Sequence, residues 1–247
     1  MWRIIPEKDF CAAMNMALDE AIMERVRLGA DPTIRFYSWN PSAVSIGYFQ
    51  GYENEVNEEA CRSSGTEIVR RITGGGAVYH DRKGEITYSL IAPEQIYPSE
   101  IAASYEVICG HIVEALTSIG IAARFSPIND VVINERKLSG SAQTRKKGVL
   151  LQHGTILYSV DVEKMFSLLR VPDEKMRDKL VKSVMKRVSS VKEQNPRISR
   201  GELGQALFHA FTKGKKWRRG DYLPEELSRA LEIARIRYSE RGWTTQR

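Results

Sequence analysis

Apolar residues recur along this chain in two rhythms, and the alternation between them outlines its elements. Met14, Leu18, Ile22 and Val26 form a stripe at helical spacing closed by Gly29, which predicts a helix from about Cys11 to Leu28. β-Branched and aromatic residues then crowd Thr33 to Trp39 and Ala43 to Phe49, two strands joined by the turn Asn40-Pro41-Ser42. A short acidic helix near Glu55 to Ser63 leads to a strand Glu67 to Ile72, a glycine triplet, a strand Ala77 to His80 and, after Gly84-Glu85, a strand Ile86 to Ile91. Ile101, Tyr105, Ile108, Ile112, Leu116 and Ile119 predict a long helix, capped by Ser99 and ended by Gly120. Val131 to Ile133, Lys137 to Thr144 and Val149 to Val160 read as strands joined by tight turns at Asn134-Glu135 and Lys146-Lys147-Gly148.

Helices dominate the remainder. Ser199-x-x-Glu202 is a capping box before Leu203, Leu207 and Phe211, and Pro224 occupies a first helical turn before Leu227, Leu231, Ala234 and Tyr238. Segregated strands with helices around them indicate an α+β fold of mixed and antiparallel β-sheets flanked by helices. No internal repeat or low-complexity tract interrupts it. The linker-like stretch Lys192 to Arg197, with Asn195-Pro196, is the best internal boundary, separating a main domain (1–195) from a C-terminal helical extension (196–247) packed on the same domain.

Composition sets limits. A chain of 247 residues can bury a full core. No stretch approaches the roughly 18 to 20 apolar residues of a membrane helix, and the N-terminus lacks a signal-peptide pattern, so a cytoplasmic protein without membrane contact is expected. Cys11, Cys61 and Cys109 are odd in number and lack metal-ligand spacing, which suggests reduced thiols. Residues 1–130 carry 11 Lys/Arg against 18 Asp/Glu, while residues 131–247 carry 26 against 13, so the second half is basic. Such a field suits an acidic protein or a phosphate-bearing ligand. Lys213, Lys215, Lys216, Arg218 and Arg219 around Trp217 could suggest nucleic acid, but no nucleic-acid-binding motif accompanies them.

The run Arg70-Arg71-Ile72-Thr73-Gly74-Gly75-Gly76-Ala77-Val78-Tyr79-His80-Asp81 sets the glycines between strand-like segments. Residues without Cβ let main-chain N–H groups approach a ligand closely, with Arg71 and His80 as flanking donors. A triplet alone reads equally as a glycine-rich hairpin turn.

With its arginine pair and His-Asp end, this run resembles the signature of the lipoate-protein ligase family, within a larger group that also holds biotin ligases and octanoyltransferases. Met14 to Glu20 resembles the family's first helix, and Arg35 to Trp39 with Ile46 to Gln50 its first strand pair. Asn129-Asp130, Lys137-Leu138-Ser139-Gly140-Ser141-Ala142 and His153-Gly154-Thr155 follow in the family's order, so the resemblance spans about residues 10–195. It implies the biotin/lipoate protein ligase catalytic-domain fold, here without the C-terminal accessory domain of longer members, and hence a separate accessory subunit.

The function the resemblance implies is a lipoate-protein ligase: lipoate and ATP, with Mg²⁺, give lipoyl-AMP, and the lipoyl group passes to a lysine of an acceptor lipoyl domain or glycine-cleavage carrier protein. Lys137 is then the catalytic cation beside the acyl carbonyl, since both steps concentrate negative charge. Arg71, Gly74, Gly75, Gly76, Val78, His80, Asn129, Ser139, Gly140, His153 and Gly154 would bind substrate and adenylate, with Asp130 as a Mg²⁺ ligand or a structural turn residue and His153 as a tunnel or core histidine. The alternative is an octanoyltransferase of the same fold, which takes the acyl group from acyl carrier protein and needs no ATP. Such enzymes use a nucleophilic cysteine shortly before the strand leading to the motif lysine, where this chain reads Ala123-Arg124-Phe125-Ser126-Pro127-Ile128. A non-catalytic or nucleic-acid-binding module is the remaining class.

Overall fold

A computed structural model describes residues 1–170 and 174–247; the side chains of residues 174–178 and 180 lie outside that description. The chain opens with a strand the hydrophobic pattern did not announce, β1 (Trp2–Phe10), followed by α1 (Ala12–Arg27) and β2 (Thr33–Trp39). β1 and β2 pair in parallel, so α1 is the crossover of a βαβ unit. Then come β3 (Ala43–Ile46), α2 (Tyr52–Glu55), α3 (Glu58–Ser63), β4 (Glu67–Arg70), β5 (Val78–His80), β6 (Glu85–Pro93), α4 (Ile101–Ser118), β7 (Arg124–Ser126), β8 (Asp130–Ile133), β9 (Arg136–Lys146) and β10 (Val149–Leu157). The rest comprises α5 (Val162–Leu168), α6 (Glu174–Met185), α7 (Val191–Gln194), α8 (Arg200–Thr212), β11 (Trp217–Arg219), α9 (Pro224–Ile233), a π-helical turn (Ala234–Tyr238) and α10 (Arg241–Thr244).

Eight strands form one sheet in the order β11-β1-β2-β6-β10-β9-β8-β7, parallel at the β11-β1-β2 end and antiparallel elsewhere. The expected α+β fold with mixed sheets is what the chain forms. The β8–β9 and β9–β10 hairpins turn through residues with positive φ, Asn134 (48°) with Glu135 (61°) and Lys147 (53°) with Gly148 (79°), as two-residue turns between twisted strands require. One face of the sheet packs on α4 and α8 through Tyr88, Ile112, Leu116, Leu207 and Phe211. The other packs on α1 and α9 through Leu18, Ile22, Leu151, Ala230 and Ile233.

A second sheet has only three strands, in the order β4-β3-β5. β4 is parallel to β3 and β5 antiparallel to it, so β3 lies between the strands that flank the glycines. The triplet is therefore not the tip of a hairpin. It carries the chain across the end of β3, and a Cβ on Gly47, just beyond that end, would overlap the carbonyl oxygen of Gly75. Arg70 secures the outer side. Its side chain is fully buried and donates to the carbonyls of Gly47 (3.0 Å), Tyr48 (3.2 Å), Gln50 (2.7 Å) and Thr244 (3.0 and 2.8 Å), tying the loop after β3 to α10.

Under the α4–α8 layer, His111 Nε2 accepts from Lys215 Nζ at 3.0 Å, and burial, with the ammonium's charge behind it, holds this imidazole down at about 4 from an ordinary 6.5. Below pH 6.5 the unfolded chain takes up a proton that folded His111 refuses, so the contribution is complete above that value and is lost as the pH falls toward 4, about 3 kcal/mol at most. Thermal unfolding at pH 7 and near pH 4.5 should show a smaller acid-induced drop in Tm for His111→Gln than for the wild type. Equal drops would remove His111 as the source.

Candidate active site

Between the two sheets lies a cavity of about 340 Å³, within the usual range for ligand pockets. Its floor is a row across the large sheet. Register places Gly140 of β9 beside Thr155 of β10, Thr155 beside Thr87 of β6, and Thr87 beside Tyr37 of β2, and all four line the cavity. The roof is the small sheet and its glycine crossing, with Ser45, Gly75, Gly76, Val78 and His80.

Lys137 reaches this cavity because β9 is irregular. Simple alternation would put residue 137 on the face of Ser139 and Ser141, which turn away from Gly140. The β8–β9 register slips between Val131 and Val132, adding one residue to β9, and a bulge of this kind re-aims side chains. Leu138 consequently enters the core under α4, and Lys137 lies over Gly140, where a Cβ would come within 2.5 Å of both its Cε and Nζ. Its backbone is fixed by the bonds from Lys137 N to Arg187 O (2.6 Å) and from Ser189 N to Lys137 O (2.8 Å). The ammonium is 2.7 Å from Asp130 Oδ1, an ion pair outside hydrogen-bond geometry, and the side chain stays 43% exposed. Lys137 is thus a cation with donors to spare.

Arg71 is the opposite case. Its guanidinium donates to the Ser45 carbonyl and hydroxyl (both 3.1 Å) and to the carbonyls of Gly74 and Gly76 (both 2.8 Å). Those bonds shape the glycine segment itself. Burial pulls the group down to about 10, and its donors are spent on the protein. The N–H groups of Gly75 and Gly76, which line the cavity, find no acceptor among the described residues.

Both motif histidines sit between a carboxylate and a hydroxyl. His80 Nδ1 is 2.7 Å from Glu85 Oε1 and its Nε2 2.8 Å from Ser45 Oγ, and the ring stacks on Trp39 with centroids 4.0 Å apart. Trp39 donates to Thr87 Oγ1 (2.9 Å), and Thr87 donates to the same Glu85 oxygen (2.9 Å). His153 Nδ1 is 3.0 Å from Asp19 Oδ2 and its Nε2 2.7 Å from Thr73 Oγ1. Burial depresses the His153 imidazole, which stays neutral, so Nδ1–H faces the carboxylate and Nε2 accepts from the hydroxyl. Arg35 supports Asp19 from 3.6 Å and is itself held by the Asn15 side chain at 2.9 Å.

Of the residues expected from sequence, Arg71, Gly75, Gly76, Val78, His80, Asn129, Lys137, Gly140, His153 and Gly154 all line the one cavity. Gly74, Ser139 and Asp130 do not. Ser139 faces away with its hydroxyl unpartnered, and the Asp130 carboxylate lies against Lys137. Among the described residues no group of three or more His, Cys, Asp or Glu gathers as a metal site. Sequence reasoning missed Asp19, Ser45, Thr73 and Glu85. Asn15 and Asp19, polar residues buried four apart on α1, were the one readable signal.

A model of the lipoyl protein ligase A/B catalytic domain matches residues 11–212. Octanoyltransferase LipM of Anoxybacillus flavithermus is 36% identical across all of this chain and 99% of its own length, and the Bacillus subtilis protein of that name is 34% identical across 100% and 98%. Among solved structures, a bi-partite lipoate protein ligase studied with its E2 lipoyl domain from Thermoplasma acidophilum superimposes with a TM-score of 0.90 at 33% identity, covering 98% of this chain and 95% of that one. A lipoate-protein ligase A bound with ATP gives 0.85 at 28%, covering 98% of each. Full-length relatives named as octanoyltransferases overturn the expectation of an ATP-dependent lipoate ligase. These relatives give no support to ATP and Mg²⁺ as reactants.

The crossing at Gly47 yields a test independent of activity. Gly47→Ala forces the Gly75 carbonyl away and should destabilise the chain by about 1 to 3 kcal/mol, as overpacking does. Gly76→Ala, with no atom within 4 Å of the added Cβ, should cost far less. Paired urea titrations measure the difference, and equal midpoints would refute the crossing.

Proposed function

We propose that this chain, which belongs to the lipoyl protein ligase A/B catalytic-domain family, is an octanoyltransferase that moves an octanoyl group from the thioester of an acyl carrier protein to a lysine of a lipoyl domain, without ATP. The observation that carries this reading is the identity of 33–36% to octanoyltransferase LipM over nearly the whole of both chains. The ligase structures share the fold, and fold alone does not choose between the two activities.

The cavity suits the task. From Lys137 over Gly140 to Thr87 is two strand spacings, about 10 Å, a span that an extended octanoyl chain covers along the row Gly140-Thr155-Thr87. The carbonyl then lies at the Lys137 end and the tail toward Trp39. As an amine adds to the thioester, the oxyanion develops beside the Lys137 ammonium, a fixed charge near low-dielectric walls. Asp130 holds that ammonium in place, and the His153 imidazole, kept neutral by burial, brings no further charge to the cavity. Acceptors consistent with the chemistry are lipoyl domains and the glycine-cleavage carrier protein; the basic second half of the sequence complements acidic carriers of either kind.

Intact-mass analysis of an apo lipoyl domain tests the reading. Octanoyl carrier protein without ATP should modify it; modification only from lipoate with Mg-ATP, or only from lipoyl-AMP, would overturn the assignment. Lys137→Met should lower the transfer rate on the order of 100- to 1000-fold with little change in Tm. Gly140→Ala, which displaces the same ammonium without touching its charge, should reproduce much of that loss. A fully active Gly140→Ala enzyme would dissociate Lys137 from the chemistry.

A further inference from the structure

Building on the transferase reading, we propose that the exposed basic face of α6 and of the turn after it is the docking surface for the acidic carrier protein that delivers the octanoyl thioester. Residues 174–187 carry six Lys/Arg against two Asp/Glu. Lys179, Lys182 and Lys186 recur at spacings of three and four, which puts them on one helix face. All three are exposed, as is Arg187. Among the described residues no carboxylate forms an ion pair with any of the four. Asp130 of β8 and Glu193 of α7 are already paired, with Lys137 and Arg136.

A charged helix face is usually no more than a solvated surface. This one is set apart by its place and by its apolar neighbours. The chain leaving α6 runs straight into the site: Arg187 O and Ser189 N bond the backbone of Lys137 at 2.6 and 2.8 Å, and Val188 between them lines the cavity. Arg136 ties down the same turn, donating to the carbonyls of Met185 (3.1 Å) and Val188 (2.5 Å). The lysine stripe thus leads outward from the end of the cavity where the thioester carbonyl meets the Lys137 ammonium. Large apolar side chains stand uncovered on both segments that border that end. Met185 closes α6 at 53% exposure, and Ile128, which precedes Asn129 of the cavity wall, is 63% exposed. Apolar contacts inside a charged rim are the composition of a protein interface.

Of the two proteins that must meet at this cavity, charge selects the donor. The octanoyl tail lies inside, so the sulfur and the protein that carries it lie outside the Lys137 end. An acyl carrier protein brings anions there, on its surface and on the phosphate of the arm that holds the thioester. The acceptor brings a lysine that arrives as an ammonium, whatever the charge of the domain behind it, and a row of lysines raises the cost of its approach. Attraction of the one and repulsion of the other assign the stripe to the carrier. Exposed cations of this kind act mainly on encounter, so their effect fades as salt is added.

Steady-state kinetics of Lys179→Glu/Lys182→Glu/Lys186→Glu test the assignment, with octanoyl carrier protein and apo lipoyl domain each varied while the other saturates. KM for the carrier should rise on the order of 10- to 100-fold at low salt, with kcat and the KM for the lipoyl domain nearly unchanged, and the difference should shrink with ionic strength. Lys213→Glu/Lys216→Glu/Arg219→Glu makes an equal change of charge at the β11 edge of the large sheet and should leave the carrier KM within a few-fold of wild type. Were the first variant not to fold, Lys182→Gln should move the carrier KM in the same direction by a few-fold. A rise in the lipoyl-domain KM instead gives the surface to the acceptor and overturns the proposal, as do equal losses in the two charge reversals or a fall in kcat at unchanged carrier KM. Absence of any transfer from the carrier by the wild-type chain overturns the underlying transferase reading instead.

Discussion

The rest of the site depends on one backbone crossing, that of the glycine segment over the end of β3. Because β3 pairs with both β4 and β5, the chain between those strands must climb over it, and the only passage is through backbone contact at Gly47 and Gly75. Adjacent arginines fasten the crossing from opposite sides, as alternation along an extended chain dictates. Arg70 points outward and binds the carbonyls of the Gly47–Gln50 loop to α10; Arg71 points inward and binds Gly74 and Gly76 to Ser45. Nine carbonyl and hydroxyl contacts would not be needed to hold a hairpin turn. They hold a strap whose free N–H groups face a cavity.

That strap makes the remaining polar groups of the roof intelligible. Thr73 precedes the glycines and ends on His153; Ser45 receives Arg71 and ends on His80. Each imidazole is then fixed by a buried carboxylate from elsewhere in the chain, Asp19 on α1 and Glu85 at the start of β6. The carboxylate–imidazole–hydroxyl order that activates a nucleophile in other enzymes here fastens the walls of the cavity together. Opposite the roof, a single extra residue in β9 turns Lys137 into the cavity and leaves its charge incompletely satisfied.

Most of the fold was legible because its periodicities are strong. The stripe on α4, the cap at Ser199 and the positive-φ turns around Asn134 and Lys147 lie where spacing and turn chemistry put them. β1 escaped because Trp2 to Phe10 mixes apolar and charged residues without strict alternation, and its partners β2 and β11 are remote in sequence. The hairpin reading of the glycines failed for a related reason: local sequence cannot show that a third strand, β3, has been inserted between two neighbours. Within the site, most of the motif residues line one cavity, whereas Ser45, Thr73 and Asp19 are ordinary residues made special by contacts 35 to 134 positions apart, and Glu85 by its contact with His80. Arg71 lines the cavity as expected of its motif, but its bonds to Ser45 and the glycine carbonyls could not be read from its position.

The same geometry explains how one fold serves chemistries that differ in their leaving group. Whatever activates the acyl chain, its transfer ends with a lysine amine adding to a carbonyl and an anion departing. A cation beside that carbonyl stabilises the addition regardless of whether the leaving group is a thiolate or a nucleotide phosphate. Differences among members of this fold should therefore concentrate in how the activated acyl group arrives, through a nucleotide site or a carrier's thioester, while the row Gly140-Thr155-Thr87, the strap and the lysine on its bulge stay common.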